Sequence, residues 1–237
     1  MRQWMPFLRP YMVTLGLLAC SMPPAWATNE QPEAHKGGTL RILAQSDAGT
    51  LDPQISYIAL TKVLETPVYD TLLTYPKFSG PGAHPVVANL VEAVPLPEDN
   101  GRTYRLTLRD GLYFSSGKPV TVDDVAASFR RLFKVGSPTA GPYYGAIVGA
   151  RSCLENPITC TLDGGVETDA RTRQIIFHLN APDPEFLDRL AWMHAAILPA
   201  DTPAHDMGNT PIPGTGPYRM ALLRKYLPRI PCLSSVC

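Results

Sequence analysis

The chain has 237 residues, of which 45% are hydrophobic and 18% are charged, a composition that supports a globular core and excludes intrinsic disorder. Its 21 lysines and arginines balance its 21 aspartates and glutamates, so the sequence offers no basic footprint for nucleic acid, and we expect no nucleic-acid partner. The 25 prolines and 18 glycines predict many turns, and the length allows one or two domains.

Residues 1–27 have the pattern of an export signal peptide. Two arginines accompany an apolar run from Met12 to Ala19, which is too short to cross a bilayer as a helix. The small-x-small site Ala25-Trp26-Ala27 predicts cleavage that leaves a soluble mature chain. A second interpretation stays open, because Leu17-Leu18-Ala19-Cys20 has the form of a lipoprotein box in which Cys20 would be lipidated. Either route predicts a periplasmic or otherwise extracytoplasmic protein.

Short apolar runs between turn residues predict alternating strands and helices before residue 100. In chain order these elements are a strand at Thr39–Leu43, a helix from about Ile58 to Tyr69 that is interrupted or kinked at Pro67, a strand at Leu72–Tyr75, a loop at Ser79–Gly82 and a helix at Pro85–Glu92. Leu51-Asp52-Pro53 is interpreted as the turn that leads into the first helix.

The most informative stretch runs from Thr103 to Val125. From Thr103 to Arg109 apolar and polar side chains alternate, which predicts a half-buried strand, and Asp110-Gly111 predicts a tight turn after it. Thr121 stands where a helix N-cap belongs, and two aspartates in the first turn favour the helix dipole. One apolar helix face follows, formed by Val125, Phe129, Leu132 and Phe133.

The second half of the chain continues this mixture of elements. The pattern predicts turns at Gly136–Tyr144, a strand at Arg173–Leu179 and a helix at Pro184–Trp192. Tyr143 and Tyr144 are interpreted as packing residues rather than binding residues. Because strands and helices mix throughout, the fold class is α/β or α+β.

Cys153 and Cys160 bracket a loop that is short enough to be closed by a disulfide. An exported chain folds in an oxidising compartment, so we expect this bond to form. The alternative is a metal site, but no His, Asp or third Cys lies at ligand spacing around the pair.

Catalysis has little support in the sequence, and we expect neither an enzyme nor a bound metal or cofactor. The five histidines lack metal-binding spacing. Asp123 and Asp124 are explained by their place in a capped first turn, without acid–base chemistry. Gly214-Thr215-Gly216 is followed by Pro217 and Tyr218 rather than by the residues of a nucleotide-binding loop.

The stretch from Thr103 to Val125 resembles the signature of the extracytoplasmic solute-binding proteins of peptide-type ABC importers, solute-binding protein family 5. Members of that family have a strand, Leu-Arg-Asp-Gly, an aromatic pair, a Gly-Lys-Pro-Val-Thr step and an Asp-Asp-Val helix start, as this chain does. Further similar pieces follow the family's order, and they are Gly37–Arg41, Leu51–Pro53, Val68–Leu73, Ala181–Leu187 and Gly214–Tyr218. The resemblance extends from Lys36 to Met220.

The resemblance implies a periplasmic-binding-protein-like type II clamp of α/β class, in which two lobes close over a ligand. It places residues 28–69 and 190–220 in a discontinuous first lobe and residues 70–189 in a subdomain inserted into that lobe. The second lobe is largely missing from this chain. Residues 221–237 depart abruptly from the family pattern, and we interpret them as an aberrant tail left by a frameshift or a premature stop.

The resemblance also implies a function: capture of peptides or related small solutes outside the membrane and their delivery to an ABC permease. Relatives bind extended peptides partly through backbone hydrogen bonds, in the manner of an added strand. One contributing segment lies just after the Leu-Asp-Pro turn, so the candidate ligand-binding residues are Tyr57, Ile58 and Ala59. For Tyr57 the alternative is that it only packs against its neighbours. For the function of the chain the alternative is a truncated fragment without transport function.

Overall fold

The computed structural model describes residues 49–76 and 85–220. Several predicted features lie outside these residues. They are the signal peptide at 1–27, Cys20, the strand at Thr39–Leu43, the loop at Ser79–Gly82 and the tail at 221–237. Within the described ranges, no helix has both the length and the apolar character needed to cross a membrane.

Two antiparallel sheets form the β structure of the described residues. Strands β1 (Leu73–Thr74) and β2 (Val87–Ala88) make a short two-stranded pair. The larger sheet contains β3 (Pro97–Glu98), β4 (Thr103–Thr107), β5 (Val166–Asp169) and β6 (Gln174–His178) in the spatial order β3-β4-β6-β5. Its central pair aligns Tyr104 with Phe177. The predicted strands at Thr103–Arg109 and Arg173–Leu179 are therefore confirmed as the centre of this sheet.

Helices connect and cover these strands. Within the described residues they are α1 (Ala59–Glu65), α2 (Val122–Lys134), α3 (Ala140–Tyr144), α4 (Ala150–Glu155) and α5 (Phe186–Arg189), with 3-10 turns at Pro157–Thr159 and Met193–Ala195. This mixed architecture confirms the predicted α/β class.

The predicted start of α2 is confirmed in detail. Thr121 Oγ1 accepts a hydrogen bond from the Asp124 backbone N–H at 3.3 Å, and Asp124 Oδ2 accepts from the Thr121 N–H at 2.8 Å. Asp124 Oδ1 also accepts from the Ala200 N–H at 2.7 Å. Asp124 therefore has two structural roles: its carboxylate caps α2 and binds the Ala200 backbone N–H.

The core lies between α2 and the larger sheet. The ring of Phe129 on α2 lies 4.8 Å from that of Phe177 on β6 and 5.6 Å from that of Tyr144, and all three side chains are fully buried. A smaller apolar cluster lies beside this core, and its buried members are Val68, Tyr69, Ala196, Leu198 and Ile212.

The smaller cluster contains the residues just before the chain enters the main core and just after it leaves that core. Val68 and Tyr69 precede Leu72, and Leu198 follows Ile197. The Ile197 N–H donates to the Asp70 carbonyl at 3.0 Å, and the Gly216 N–H donates to the Val68 carbonyl at 2.9 Å. A Cβ atom on Gly214 would lie only 2.0 Å from the Val68 carbonyl oxygen, so this glycine allows the two backbones to approach closely. The described residues belong to one compact unit, and the division into a lobe and an inserted subdomain stays a prediction.

Several predicted boundaries were wrong. Residues 85–92 form no helix, because Ala88 and Val87 pair with Leu73 and Thr74, and the Asn89 N–H donates to the Leu72 carbonyl. Helix α1 ends at Glu65, just before the predicted interruption or kink at Pro67, and does not continue to Tyr69. The stretch predicted to be only turns contains α3, and the helix predicted from Pro184 to Trp192 is reduced to α5. The sequence reading also missed α4 and β5.

Candidate functional site

The three predicted ligand-binding residues lie together on the surface at the start of α1. Tyr57 is 58% exposed, Ile58 is 45% exposed, and Ala59 is exposed as well. Ile58 has extended backbone angles (φ −96°, ψ 128°) and precedes the helix without a side-chain cap. Among the residues that the structure describes, no acceptor pairs with the backbone N–H groups of Tyr57, Ile58 or Ala59. Within the part of the chain that the structure describes, this segment therefore presents unpaired backbone donors, as the edge of a sheet does.

A buried ion pair fixes the turn before this segment. Asp52 is fully buried, and its two carboxylate oxygens lie 3.1 Å and 2.6 Å from the guanidinium nitrogens of Arg131 on α2. Gln54 Oε1 accepts a further bond from Arg131 at 2.8 Å, and Gln54 Nε2 donates to the Ser128 carbonyl. The Leu51-Asp52-Pro53 turn is thus attached to the main helix of the fold, which holds the exposed segment in a defined position.

A buried histidine contacts the exposed segment at Tyr57–Ala59 from the interior of the protein. His194 Nε2 donates to the Ser56 carbonyl at 2.9 Å, and the His194 ring lies 5.3 Å from the Tyr57 ring. Burial, followed by the charge of Lys62, lowers the pKa of His194 to about 4. The imidazole is therefore neutral at physiological pH, and it acts as a fixed hydrogen-bond donor and a packing surface.

A second buried acid lies on the inner face of α1. Glu65 is fully buried, and its Oε2 pairs with Lys62 Nζ at 2.9 Å, while Lys62 Nζ also donates to the Pro53 carbonyl at 2.8 Å. Among the described residues, Glu65 Oε1 has no hydrogen-bond partner. Burial raises the pKa of Glu65 to about 7, so protonation of this carboxyl group is accessible near neutral pH.

Three aromatic side chains continue the exposed surface away from Tyr57, and we call the set of Tyr57, Tyr75, Tyr143 and Trp192 the aromatic surface. The Tyr57 and Tyr143 hydroxyl groups are hydrogen-bonded at 2.9 Å, and the Tyr143 ring lies edge-on to Trp192 at 5.2 Å. The Tyr75 hydroxyl donates to Asp188 Oδ1 at 3.0 Å. Trp192 is 42% exposed and Tyr75 is 41% exposed. Tyr57, Tyr143 and Trp192 thus come together from three distant segments, and Tyr75 is linked to the last of these segments through Asp188.

Arg189 holds Tyr143 in this arrangement. Its guanidinium group pairs with Asp183 and with Glu185, donates to the Tyr143 carbonyl at 3.2 Å and lies 5.9 Å from the centre of the Tyr143 ring. The Ala181–Leu187 motif therefore supplies the acids that orient Arg189, and Arg189 in turn orients an aromatic ring.

The sequence reading found only one member of the aromatic surface. Tyr143 and Tyr144 are predicted to be packing residues, and both pack: Tyr144 is fully buried, and Tyr143 is half-buried against the main core. Trp192 carried one usable signal, because it is the only tryptophan that follows the predicted signal peptide. Tyr75 had no such signal, because its position near the other aromatic residues depends on the tertiary fold and cannot be inferred from the local sequence.

The structure joins Cys153 and Cys160 by a disulfide, with their Cα atoms 4.5 Å apart. The bond links α4 to the end of the following 3-10 turn, and both half-cystines are buried in the main core. Within the described ranges, no group of three or more His, Cys, Asp or Glu residues is arranged to hold a metal ion.

Comparison with known proteins agrees with the family resemblance of the sequence and with the fold described above. Residues 85–225, more than half of the chain, match the model for the middle part of the bacterial extracellular solute-binding proteins, family 5. A relative from Agrobacterium fabrum described as the probable peptide-binding protein YejA is 34% identical over 55% of this chain and 20% of its own. The probable deoxycholate-binding periplasmic protein YgiS of Escherichia coli is 30% identical over 62% of this chain and 26% of its own.

A solved structure shows the same relation in three dimensions. Clavulanic acid biosynthesis oligopeptide binding protein 2 superimposes with a TM-score of 0.67 at 30% identity, over 79% of this chain and 34% of that protein. The chain therefore spans between a fifth and about a third of the length of these three proteins.

Proposed function

Since the chain belongs to family 5 of the bacterial extracellular solute-binding proteins, we propose that it captures peptides, or related small solutes, outside the cytoplasmic membrane for an ABC importer. Its partner would be the membrane permease of that importer, and its role would be binding without catalysis. It would work in the periplasm, after signal cleavage or as a lipoprotein anchored through Cys20.

The observation that carries the proposal is the exposed segment at Tyr57–Ala59. An extended peptide ligand needs backbone donors and acceptors that the protein has not already paired. Tyr57 and Ala59 flank the extended residue Ile58, and their backbone N–H groups are the donors that we propose for a ligand. The Asp52–Arg131 pair and the Ser56–His194 bond fix this segment before ligand arrives, which reduces the entropy lost on binding.

Ala59→Pro tests the backbone contact with little disturbance of the fold. Ala59 is the first residue of α1, where proline is well tolerated, and Ile58 already has the extended backbone that a following proline favours. The substitution removes one outward N–H, so we expect peptide affinity to fall about three- to tenfold, as for the loss of one hydrogen bond. Equilibrium dialysis of the full chain with radiolabelled trialanine measures this, and Ala59→Ser, which keeps the N–H, is the control.

A broader panel decides the ligand class. It contains di- to pentapeptides, deoxycholate, haem, a nickel chelate and oligosaccharides. Capture of peptides alone supports the proposal. Binding of none of the panel would overturn ligand capture by this chain, and tight binding of only a non-peptide compound would replace the proposed ligand.

A further inference from the structure

The aromatic surface begins at the proposed backbone-binding segment and extends beyond it. Tyr57 belongs to both, and from Tyr57 the contacts pass to Tyr143 and on to Trp192. Tyr75 joins this set through its hydrogen bond to Asp188, which lies four residues before Trp192 in the chain. A ligand lying along Tyr57–Ala59 would therefore place one of its substituents next to these rings.

The polar groups of the aromatic surface are largely occupied within the protein. The Tyr57 and Tyr143 hydroxyls bond to each other, and the Tyr75 hydroxyl bonds to Asp188. The hydrogen bond between the Tyr143 and Tyr57 hydroxyls also raises the pKa of Tyr143, so the Tyr143 hydroxyl stays protonated and uncharged. What remains for a ligand is mainly ring surface and ring edge, which favours apolar and aromatic groups.

The rings are held rigidly by polar contacts behind them. Arg189 binds the Tyr143 carbonyl and lies over its ring, and it is itself held by Asp183 and Glu185. His194 lies below Tyr57 and is bonded to the Ser56 carbonyl. Rigid aromatic side chains bind a partner with a small loss of entropy, which is why such groups often dominate recognition.

We infer that the aromatic surface selects peptides that carry an aromatic side chain at the position beside Tyr57, with Trp192 and Tyr143 stacking on that side chain and Arg189 positioning Tyr143. The inference rests on the proposed function and sharpens it from peptides in general to peptides with an aromatic residue. A sugar also stacks on aromatic rings, so the test below includes cellobiose as the competing ligand.

Trp192 gives a direct optical test. Trp4 and Trp26 are the other two tryptophans of the chain, so the full-length Trp4→Phe/Trp26→Phe protein fluoresces from Trp192 alone. We expect Ala-Phe-Ala to shift this emission to the blue, because the peptide ring covers the exposed indole. Equilibrium dialysis in parallel should give Ala-Phe-Ala an affinity about tenfold higher than that of Ala-Ala-Ala.

Two substitutions distinguish a specific role of the aromatic surface from a general effect of removing an exposed aromatic side chain. Trp192→Leu should reduce the preference for Ala-Phe-Ala over Ala-Ala-Ala to less than about threefold, because one stacking partner is lost. Tyr113→Leu is the matched control, since Tyr113 is 60% exposed and lies outside the aromatic surface, and it should leave the preference unchanged. The midpoint of urea unfolding for both variants shows whether the fold is intact. For the positioning role, Arg189→Lys should lower the affinity for Ala-Phe-Ala more than the affinity for Ala-Ala-Ala, because a lysine cannot hold the Tyr143 ring in the same way.

The outcomes distinguish the inference from the proposed function. Equal binding of both peptides without a change in Trp192 emission overturns the inference and leaves peptide capture standing. Absence of binding by either peptide overturns peptide capture itself, and the inference falls with it. A blue shift with cellobiose but not with Ala-Phe-Ala would assign the surface to a sugar and overturn the peptide preference.

Discussion

Arg131 uses all five of its N–H donors, and together they tie three segments of the chain to one another. Nε donates to the Pro203 carbonyl, one terminal nitrogen to Asp52 and Gln54, and the other to Asp52 and the His205 carbonyl. A buried guanidinium group is tolerated only when it is paired and fully hydrogen-bonded, and here both conditions are met.

Removing this side chain should therefore be costly. We expect Arg131→Met to lower the free energy of unfolding by about 3–5 kcal/mol, because it leaves the Asp52 carboxylate buried without its counter-ion. Urea denaturation followed by circular dichroism measures the change. The neighbouring partly exposed Arg130, changed to Met, is the control and should lose less than about 0.5 kcal/mol. Equal effects of the two substitutions would contradict the role assigned to Arg131.

Glu65 and His194 predict an unusual pH dependence of stability. The pKa of Glu65 rises from 4.5 to about 7 on folding, so its contribution to stability is greatest at low pH and is lost as the pH rises toward 7. The pKa of His194 falls from 6.5 to about 4, so its contribution is present above pH 6.5 and is lost as the pH falls toward 4. Between about pH 4.5 and 6.5, the stability contribution of Glu65 falls with rising pH while that of His194 increases, so the two effects oppose each other.

The two contributions can be separated by substitution. Relative to wild type, Glu65→Gln should become more stable as the pH rises from 4.5 to 7, because glutamine carries no charge to bury. His194→Gln should gain relative to wild type as the pH falls from 6.5 to 4. Urea midpoints at half-unit pH steps measure both differences, and a difference curve of the opposite sign would refute the assigned burial of that group.

At the scale of elements, local sequence signals predicted the start of α2, whereas tertiary contacts determine the structure of residues 85–92 and the position of the aromatic surface. The N-cap of α2 depends on residues three positions apart, so Thr121 and Asp124 could be identified from the sequence. Residues 85–92 have no such signal, and pairing with β1 makes Val87 and Ala88 extended. The aromatic surface could not be predicted either, because its members come from four segments that only the complete fold brings together.

The disulfide between α4 and the next turn is an element-scale restraint. It closes a short loop, so its loss should lower the free energy of unfolding by about 2 kcal/mol through the greater entropy of the unfolded chain. Cys153→Ala/Cys160→Ala tests this by urea denaturation. Dithiothreitol should weaken the wild type and leave the double variant unaffected. Loss of stability in both proteins on reduction would indicate that another bond is responsible.

At the scale of the whole molecule, two glycines allow the chain to close on itself. Cβ atoms on Gly214 and Gly216 would lie 2.0 Å from the Val68 carbonyl oxygen and 2.5 Å from the Pro67 carbonyl oxygen. Such contacts require the two backbone segments to separate, and that would disrupt the bond from the Gly216 N–H to Val68.

Substitution of Gly214 should accordingly destabilise the protein. We expect Gly214→Ala to lower the free energy of unfolding by about 2 kcal/mol or more, through strain and a lost buried hydrogen bond. Gly141→Ala is the matched control, because a Cβ atom there meets Leu154 at an ordinary 3.6 Å within helix α3, where alanine is favoured over glycine. A Gly214→Ala protein as stable as Gly141→Ala would show that the close approach is not needed.

The bond between the Ile197 N–H and the Asp70 carbonyl has a consequence for how this architecture can be rearranged. It brings the first and last residues of the 70–197 stretch side by side, so the stretch could be exchanged for a homologous one by cutting the gene at two points. Neither junction would need a long linker, since insertion succeeds where two ends lie close together. Chimeras built at these junctions would transfer Tyr75, Tyr143 and Trp192 together, and ligand preference would travel with the transplanted piece.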